Sequence, residues 1–510
     1  MSKVLKFEET PAAMDRLRAA GKRIVQCHGT FDLVHPGHVI HFEEARALGD
    51  VLVVTITGEA HTNKGPGRPY FGDRLRLKML GALAAVDHVV VIPFSAAVEA
   101  IECVRPHVYC KGKEYADPGA DVTGHMQDDL EAVARVGGTV HYVGSEIFSS
   151  TRLLNQHFDP YPDSVKSFAR VVAAETPPER MREIVDSFAG LSVVVVGEII
   201  FDRYTTVNIQ GLSSKSQIMS GRYLGEDTQG GGALAILRHV RQFTSRVKIV
   251  SVVGGEAWVG DSLKAFLAPS EDEILRVPGY VTILKQRFVE PMIAGREIAK
   301  LFSYNYMDDK PQPESVQASF RERIASAVAG ADVVIVADFG HGLLSESVRD
   351  LLQEKSKFLA LNCQTNSSNR GYNIINRQYQ RADSFSLDET EIRLASAKKH
   401  IDYRATLEQL RVDLKSNYAW LTRGQFETIG LTKAGASCAC PPFERNVVDP
   451  VGAGDAFCTL AALSAVRQIP IATATFLSQL AGAQAVRIVG NAESIRKDRI
   501  LAAGTAMLKI

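Results

Sequence analysis

The sequence of 510 residues has no net charge, few cysteines and no long apolar run, and each lack excludes a class of protein. Its 58 basic side chains are balanced by 58 acidic ones, so it lacks the positive excess expected of a general nucleic-acid binder. No apolar run approaches the roughly 20 residues needed to cross a bilayer. We therefore expect a locally recognised small ligand, and neither nucleic acid nor membrane as a partner.

The seven cysteines are too few and too scattered for a disulfide framework. They are odd in number and lie mostly within apolar stretches, which is typical of buried free thiols. Cys438 and Cys440 form the one close pair, and no second Cys or His pair lies nearby in the sequence to complete a tetrahedral metal site. The N-terminus has charges throughout and no apolar segment of a secretory signal, so we expect a cytoplasmic protein.

Apolar runs alternate with helical patterns along both halves of the chain, which predicts the α/β class with parallel sheets. The predicted strands of the first half are Arg23–Cys27, Val51–Ile56 and His88–Ile92. Those of the second half are Leu191–Val196, Val247–Val253, Val333–Val336, Phe358–Asn362 and Tyr418–Thr422. A proline-punctuated break near residue 160 predicts a first domain over 1–158, a connector over 159–189 and a second domain over 190–510. Strand-like spacing over 204–223 suggests a small lid sheet in the second domain.

The loop CHGTFDLVHPGHVIHF, residues 27–42, places two histidines around a Pro-Gly pair between a strand and a helix. Backbone amides after Gly29 and the imidazoles of His35 and His38 converge there at a helix N-terminus, where an anion is favoured. Hydrogen-bond donors fixed in such a loop can stabilise charge on an α-phosphate while pyrophosphate leaves. The pattern therefore indicates a nucleotidyl-transfer site.

Zinc ligation is the alternative interpretation of this loop. The four histidines His28, His35, His38 and His41 are separated by a Pro-Gly bend, and no Cys or carboxylate lies at matching spacing. We therefore favour the phosphate site, and we expect His28 and His41 to be ordinary structural histidines.

GTFDLVHPGH resembles the G-x-F-D-x-x-H-x-G-H signature of the cytidylyltransferase-like nucleotidyltransferases, which have a Rossmann-like fold. Residues 20–155, including LGDVLVVTITGE, RPHVYCKGKEY and FSSTRLL, are similar to the nucleotidyltransferase half of the bacterial heptose kinase/adenylyltransferases. The resemblance implies that His35 and His38 bind the triphosphate and that Phe31 and Asp32 shape the loop. It also implies that these further residues bind nucleotide or phosphate: Gly29, Thr30, Lys111, Ser149, Ser150 and Thr151. The hydroxyl side chains of Ser149, Ser150 and Thr151 are also typical of a helix N-cap.

The string NVVDPVGAGDAFC, residues 446–458, precedes an Ala-rich helical run. Gly452, Ala453 and Gly454 place successive amides at a helix N-terminus, with the carboxylate of Asp455 beside them. Phosphoryl transfer needs amides for the developing negative charge and a base for the acceptor hydroxyl, and Asp455 suits the second task.

This string resembles the second signature of the ribokinase-like (PfkB) sugar kinases, and residues 190–505 follow that family more loosely. The nearest pattern within the family is the heptose 7-phosphate kinase half, although the order of the two halves is reversed here. The resemblance implies that Asp455 is the base, that Gly452–Gly454 form an anion hole and that Asp202 contacts sugar hydroxyls. It also implies that Gly231 and Gly232 let the substrate approach the backbone.

Three positions depart from the kinase pattern. Ala235 stands where the family often has Asn, and Asp388 replaces the Asn of the Asn-x-x-Glu motif that supports the metal, although Glu391 is kept. LNCQTNSSNRGYN replaces an Asp-Pro-Lys-like string. These departures concern the sugar more than the reaction.

Together the motifs predict a bifunctional enzyme that makes a nucleotide-activated sugar. One half phosphorylates a heptose-like sugar or sugar phosphate with ATP, and the other couples the product to ATP or CTP with release of pyrophosphate. Mg²⁺ is implied in both halves, and the kinase resemblance implies a homodimer. One alternative is a polyol- or glycerol-phosphate cytidylyltransferase whose kinase-like half uses another acceptor. The other makes the second domain a catalytically silent sensing or dimerisation module.

Overall fold

The computed structural model describes residues 3–62, 68–113, 125–144, 161–267, 272–292, 297–308, 310, 312–366 and 369–509. The chain divides into two compact units, residues 1–166 with 501–510 and residues 167–500. The sequence suggests a break near residue 160 and assigns residues 501–510 to the second domain, whereas the structure groups those last residues with the first unit. Within the described residues, no helix has the length and apolarity to cross a membrane.

The first unit is built on one parallel sheet. Its strands are β1 (Val4–Leu5), β2 (Ile24–Gly29), β3 (Val51–Thr57), β4 (His88–Ile92), β5 (Val108–Gly112) and β6 (Thr139–Val143). They are arranged in the order β1-β4-β3-β2-β5-β6. The accompanying helices are Thr10–Ala19, Pro36–Arg46, Asp73–Gly81, Val98–Val104 and His125–Arg135. Every residue of β3 is buried, and its sequence VLVVTIT does not alternate, as expected for a parallel strand covered on both faces.

The strand order reverses beside β2, and this positions the first site. The chain runs from β2 to β3 and β4 on one side, and then crosses to β5 on the other side. Ligands of open α/β sheets bind beyond the carboxyl ends of the strands at such a reversal. Gly29 at the end of β2 and Gly112 at the end of β5 lie at this edge.

The second unit contains a larger sheet and a smaller one. In chain order its strands are β7 (Val193–Gly197), β8 (Ile199–Leu212), β9 (Met219–Gly232), β10 (Val247–Val253), β11 (Glu273–Arg276), β12 (Ile283–Val289), β13 (Lys300–Tyr306), β14 (Val333–Asp338), β15 (Leu359–Cys363), β16 (Ser384–Asp388), β17 (Tyr418–Thr422), β18 (Thr428–Thr432) and β19 (Ser437–Cys440). The larger sheet has the order β11-β10-β7-β14-β15-β16-β17-β18-β19. It is parallel as far as β17 and antiparallel over its last two pairings.

The smaller sheet has the order β13-β12-β8-β9, and β8 and β9 form its long hairpin. We call this sheet the lid sheet. The helices from residue 163 onward are Asp163–Glu175, Met181–Ser187, Ala233–Val240, Ala257–Lys264, Glu314–Val328, Glu346–Lys355, Ile375–Gln378, Glu389–Ser396, Tyr403–Asp413, Ala453–Val466, Ile471–Ala485 and Lys497–Leu508. Apolar side chains of the parallel strands and their covering helices form the main core of the unit.

The α/β class with parallel sheets is confirmed, and three of the predicted strands have the predicted bounds: His88–Ile92, Val247–Val253 and Tyr418–Thr422. The helix that follows the histidine loop begins at Pro36, because proline is tolerated at the first helical position, where its missing N–H is not needed. The lid sheet is larger than the interval 204–223, since β12 and β13 join it from a distant part of the chain.

Candidate active sites

The first site is the turn that leads from β2 into the helix Pro36–Arg46. His35 is the N-cap residue with extended backbone angles, and its carbonyl accepts the N–H of His38 at 2.8 Å. The two imidazole rings stack with their centroids 3.8 Å apart. The structure thus brings both predicted histidines to one helix N-terminus.

Phe31 shapes this turn, as the sequence resemblance implies. Its φ of 45° lies in the left-handed region, and its ring contacts His38 edge-on at 5.1 Å between centroids. A Cβ on Gly29 would lie 3.1 Å from the Phe31 ring. Close packing inside the loop therefore favours glycine at position 29.

Two arginines contact the loop between β2 and the helix Pro36–Arg46, and the sequence analysis did not identify them. Arg68 forms a buried ion pair with Asp32 at 2.8 Å, and Asp32 also accepts the N–H of Phe71 at 3.0 Å. The fully buried Arg76 donates to the carbonyl of Thr30 at 2.6 Å. Both arginines lie in the segment RPYFGDRLRL, whose charges within a predicted loop and helix were the available signal.

Burial lowers the pKa of His35, so that imidazole is largely neutral at pH 7. Burial, with a smaller contribution from Lys111, lowers the pKa of His28 to about 3, and burial lowers that of His41 to about 4. His28 contacts the hydroxyls of Thr55 and Thr57 at 3.0 and 3.3 Å. These contacts fit a structural histidine.

Lys111 lies at the end of β5, beside the strand that leads into the histidine turn. Its ammonium pairs with the buried carboxylate of Asp129 at 2.7 Å. A role for Lys111 at the phosphates remains a prediction. Ser149, Ser150 and Thr151 lie outside the described residues.

The second site is centred on Asp455, in the first turn of the helix Ala453–Val466. Its side chain is buried, and its Oδ1 accepts hydrogen bonds from Asn362 Nδ2 at 2.7 Å and Gln364 Nε2 at 2.8 Å. Burial raises the pKa of Asp455 to about 6 against the effect of the two amide hydrogen bonds. A carboxyl group with that pKa is suited to accept a proton near neutral pH.

Gly452 is the N-cap of this helix, with a φ of 84°. A Cβ there would lie 2.3 Å from Asn491 Oδ1, so both the backbone angle and the space require glycine. The buried Asp449 supports the turn, because it accepts the N–H of Val451 at 3.1 Å and the hydroxyl of Tyr204 at 2.7 Å.

The helix Ala453–Val466 offers amides to an anion. The N–H of Ala453 donates to Pro450 at 3.3 Å, whereas Gly454 and Asp455 occupy the first turn, where no carbonyl of the same helix can accept. Of the anion hole predicted over Gly452–Gly454, the geometry leaves the amide of Gly454 for an anion, and it adds the amide of Asp455, which the prediction did not include.

Asp202 on β8 faces the same site. It forms an ion pair with Arg287 of β12 and accepts from Asn491 Nδ2 at 3.3 Å. A Cβ on Gly231 would lie 2.3 Å from Asp202 Oδ2, so this glycine makes room for the carboxylate. Gly232 has a φ of 58°, and a Cβ there would lie 2.6 Å from the carbonyl of Glu198. The described packing thus explains both glycines by contacts within the chain.

Lys285 and Arg287 are cations that the sequence reasoning missed. They are two residues apart on β12, a spacing that puts both on one face of a strand, and this was the available signal. Burial lowers the pKa of Lys285, while the charges of Asp202 and Asp455 oppose that effect. The second site therefore combines buried carboxylates with partly buried cations.

The two single-residue departures from the kinase pattern, Asp388 and Ala235, both fit their local structure. Asp388 caps the helix Glu389–Ser396 by accepting the N–H of Glu391 at 2.8 Å, and Glu391 accepts the N–H of Asp388 in return. The other oxygen of Glu391 accepts the N–H of Thr365 at 3.0 Å. Ala235 is buried in the helix Ala233–Val240 and offers no polar group.

Within the described part of the chain, no cluster of three or more His, Cys, Asp or Glu side chains could hold a metal ion. Both oxygens of Glu391 accept backbone N–H groups, and Asp202 is paired with Arg287. Mg²⁺ usually needs only one or two carboxylates when substrate phosphates supply its other ligands. This donor set therefore fits an ion that enters with a nucleotide.

Comparison with known proteins supports the first unit most directly. Residues 27–156 match the model of the cytidylyltransferase-like family. The protein named bifunctional protein HldE from Methylococcus capsulatus is 43% identical over 141 residues, which make up 27% of this chain and 28% of that protein. Bifunctional protein HldE from Desulfatibacillum aliphaticivorans is 36% identical over 157 residues, 30% of each chain. The chain thus spans less than a third of the length of these curated relatives.

Solved structures of sugar kinases align with the larger part of the chain at low sequence identity. A putative ribokinase from Agrobacterium tumefaciens has a TM-score of 0.48 and 15% identity, and covers 62% of this chain and 97% of its own. Phosphofructokinase-2 from Escherichia coli in complex with substrates and products has a TM-score of 0.48 and 13% identity, and covers 60% of this chain and 96% of its own.

Proposed function

We propose that this chain makes a nucleotide-activated sugar in two steps, with a sugar kinase site in the second unit and a nucleotidyltransferase site in the first. The observation that carries the proposal is that each unit places chemically reactive side chains at a helix N-terminus. These are stacked imidazoles in the first unit and a buried carboxyl in the second. Such termini favour the phosphate groups on which both reactions act.

In the kinase step, Asp455 accepts the proton of the acceptor hydroxyl. The resulting oxygen attacks the γ-phosphorus of ATP, the bond from that phosphorus to the bridging oxygen breaks, and ADP leaves. The amides of Gly454 and Asp455 face the negative charge that develops on the transferred group. Asp202 orients the acceptor through its hydroxyls.

Lys285 and Arg287 favour an acceptor that already carries a negative group. Arg287 is partly neutralised by Asp202, but Lys285 adds a second, partly buried cation on the same face of β12. A buried cation is costly unless an anion accompanies it. We therefore favour a sugar phosphate over a free sugar as the acceptor.

When the acceptor is a sugar phosphate, the kinase product carries two phosphates. In the nucleotidyl-transfer step, an oxygen of the new phosphate, at the anomeric carbon, attacks the α-phosphorus of the nucleoside triphosphate, and pyrophosphate leaves. His35 and His38 donate N–H groups to the phosphates. Because burial lowers the pKa of His35, we expect it to act as a neutral donor rather than as an imidazolium. Gly29 and Thr30 bring backbone into reach of the same group.

Mg²⁺ supplies charge neutralisation to both steps when it is bound by the nucleotide phosphates. Glu391 would act on it indirectly, since its oxygens hold backbone N–H groups. ATP is the proposed phosphoryl donor, and ATP or CTP is the proposed nucleotidyl donor.

We also propose a homodimer formed through the lid sheet. This sheet exposes large apolar side chains on β8, β9 and β13, among them Leu212, Met219, Tyr223 and Phe302. Large exposed apolar side chains of this kind are typical of a protein interface. Sedimentation of the variant with Tyr223→Glu and Phe302→Glu should give a monomer, whereas Phe426→Glu, at an exposed phenylalanine outside the lid sheet, should leave a dimer. A wild-type monomer would contradict this proposal.

Separate inactivation of the two sites tests the function. Asp455→Asn should abolish ADP formation from ATP and a sugar phosphate, yet still release pyrophosphate when sugar 1-phosphate is supplied. His38→Ala should do the reverse. His400→Ala, at an exposed histidine of the second unit, is the control and should keep both activities. Unchanged ADP formation by Asp455→Asn, or loss of both activities in either variant, would contradict the assignment.

A further inference from the structure

Two side-chain amides converge on a single oxygen of Asp455. Asn362 Nδ2 and Gln364 Nε2 donate to Oδ1 at 2.7 and 2.8 Å, and Gln364 Nε2 also donates to Asn362 Oδ1 at 3.2 Å. The described residues give Oδ2 no hydrogen bond. The carboxyl group is therefore held at one oxygen, and its other oxygen is left for a ligand.

Backbone contacts fix both amides before any substrate binds. Asn362 lies within β15 and pairs with Ala337 of the neighbouring strand. The N–H of Gln364 donates to the carbonyl of Asp338 at 2.8 Å, and the carbonyl of Gln364 accepts from Asn373 Nδ2 at 3.1 Å. Because both backbone groups of Gln364 are held, its side chain reaches Asp455 from a rigid base.

The two hydrogen bonds act against the cost of burial. Burial and the nearby Asp202 carboxylate raise the pKa of Asp455, whereas the hydrogen bonds from Asn362 and Gln364 and the charge of Lys285 lower it. An amide N–H can donate to a carboxylate but competes with the proton of a carboxylic acid at the same oxygen. Donation therefore stabilises the ionised form that a general base requires.

We propose that Asn362 and Gln364 are positioning residues that keep Asp455 ionised and turn its Oδ2 toward the acceptor hydroxyl. This inference rests on the proposed role of Asp455 as the kinase base. It also assigns a role to the amides of the segment LNCQTN, which stands where the resembled kinases have an Asp-Pro-Lys-like string. Neither amide exchanges a proton itself.

The acid limb of the kinase pH profile tests this role. In kcat measured at saturating ATP and sugar phosphate, Gln364→Met should raise the apparent pKa by about one unit, because it removes one hydrogen bond to a charged group. Gln364→Glu keeps the shape of the side chain, removes its donors and adds a negative charge, so its limb should move further upward. The ionisation of the substrates is common to all variants and cancels in this comparison.

Gln409→Met is the matched control. Gln409 Nε2 donates to Asp413 at 2.8 Å on an exposed helix, so this substitution removes the same kind of bond away from the site and should leave the profile unchanged. Limbs of both Gln364 variants that coincide with the wild-type limb would overturn the inference while leaving the kinase assignment intact. A wild-type chain that forms no ADP with any sugar phosphate would overturn both. If Gln364→Met fails to fold, Gln364→Glu alone decides the question by the same shift.

Discussion

Two ion pairs of the first unit differ in how deeply their side chains are buried, and therefore in how strongly they fix the residues around them. Asp32 and Arg68 form an ion pair whose side chains are 6% and 2% exposed, directly beneath the histidine turn. Glu102 and Arg135 form an ion pair of the same chemistry, but their side chains are about half exposed, at 50% and 54%. The first pair is shielded from water and can fix the histidine turn, whereas water screens the charges of the second pair.

Arg68→Met should therefore destabilise the histidine turn by about 3 to 5 kcal/mol, since it leaves the Asp32 carboxylate buried and unpaired. Hydrogen exchange of the peptide that contains Phe71, whose N–H donates to Asp32, measures this effect. Arg135→Met should change the opening free energy by no more than about 1 kcal/mol. Equal effects of the two variants would contradict the supporting role of Arg68.

Sequence reasoning can place together residues that are close in the chain, and it misses contacts between residues that are distant in the chain. His35 and His38 are separated by a Pro-Gly pair, so the turn that brings them together is visible in the string itself. Arg68 lies 36 positions from Asp32, and Gln364 lies 91 positions from Asp455. No spacing rule connects such pairs, because the order of the strands decides which loops meet.

The close packing of β8 against β9 determines which residues fit at the second site. β9 ends in the glycines Gly230, Gly231 and Gly232, and the place of a Cβ on Gly231 is taken by Asp202 from the paired strand β8. Gly225 lies on the same strand, yet a Cβ there would meet open space. One strand thus offers both a test position and its control.

Gly231→Ala should displace the Asp202 carboxylate and lower kcat/KM of the kinase reaction by about a hundredfold, as expected when an orienting group moves by about 1 Å. Gly225→Ala should stay within about twofold of the wild type, as surface substitutions usually do. Steady-state kinetics of ADP formation decides between these outcomes. If Gly231→Ala retained wild-type kinetics, Asp202 would not orient the acceptor.

Elements of the parallel sheets were predictable because buried parallel strands are continuous apolar runs. The runs VVVV in β7 and VLVV in β3 can be recognised as buried strands from the sequence alone. The lid sheet was predicted too small, since β8 of its polar, alternating hairpin pairs with β12, 83 positions further along the chain, and β13 joins by pairing with β12. Strand pairings between such distant segments depend on the tertiary fold, and no local sequence pattern indicates them.

At the scale of the whole molecule, the neutral total charge conceals two charged sites. The second site sets Lys285 and Arg287 against Asp202 and Asp455, so its contribution to the net charge is zero. The absence of an overall charge excess therefore argues against a polyanion-binding surface and leaves anionic small substrates open. The expectation of a locally recognised ligand agrees with this arrangement.

Two sites on one chain should be able to work on different molecules. A mixture of the Asp455→Asn and His38→Ala variants should restore the nucleotide sugar from ATP and the sugar phosphate, because the phosphorylated sugar leaves one chain and enters another. Neither variant alone should form the product in a chromatographic assay. A mixture as inactive as its components would mean that the intermediate does not leave the chain, or that both residues serve one composite site.

The most direct measurement of the central claim is a phosphorus NMR time course of the wild-type chain with Mg²⁺, ATP alone or ATP with CTP, and a panel of heptose, hexose and polyol phosphates. The account predicts that the resonances of ADP and of a sugar bisphosphate with its new phosphate at the anomeric carbon appear first, followed by those of pyrophosphate and a nucleotide sugar. Formation of pyrophosphate and a nucleotide sugar directly from an added phosphate, with no sugar-dependent ADP at any time, would contradict it.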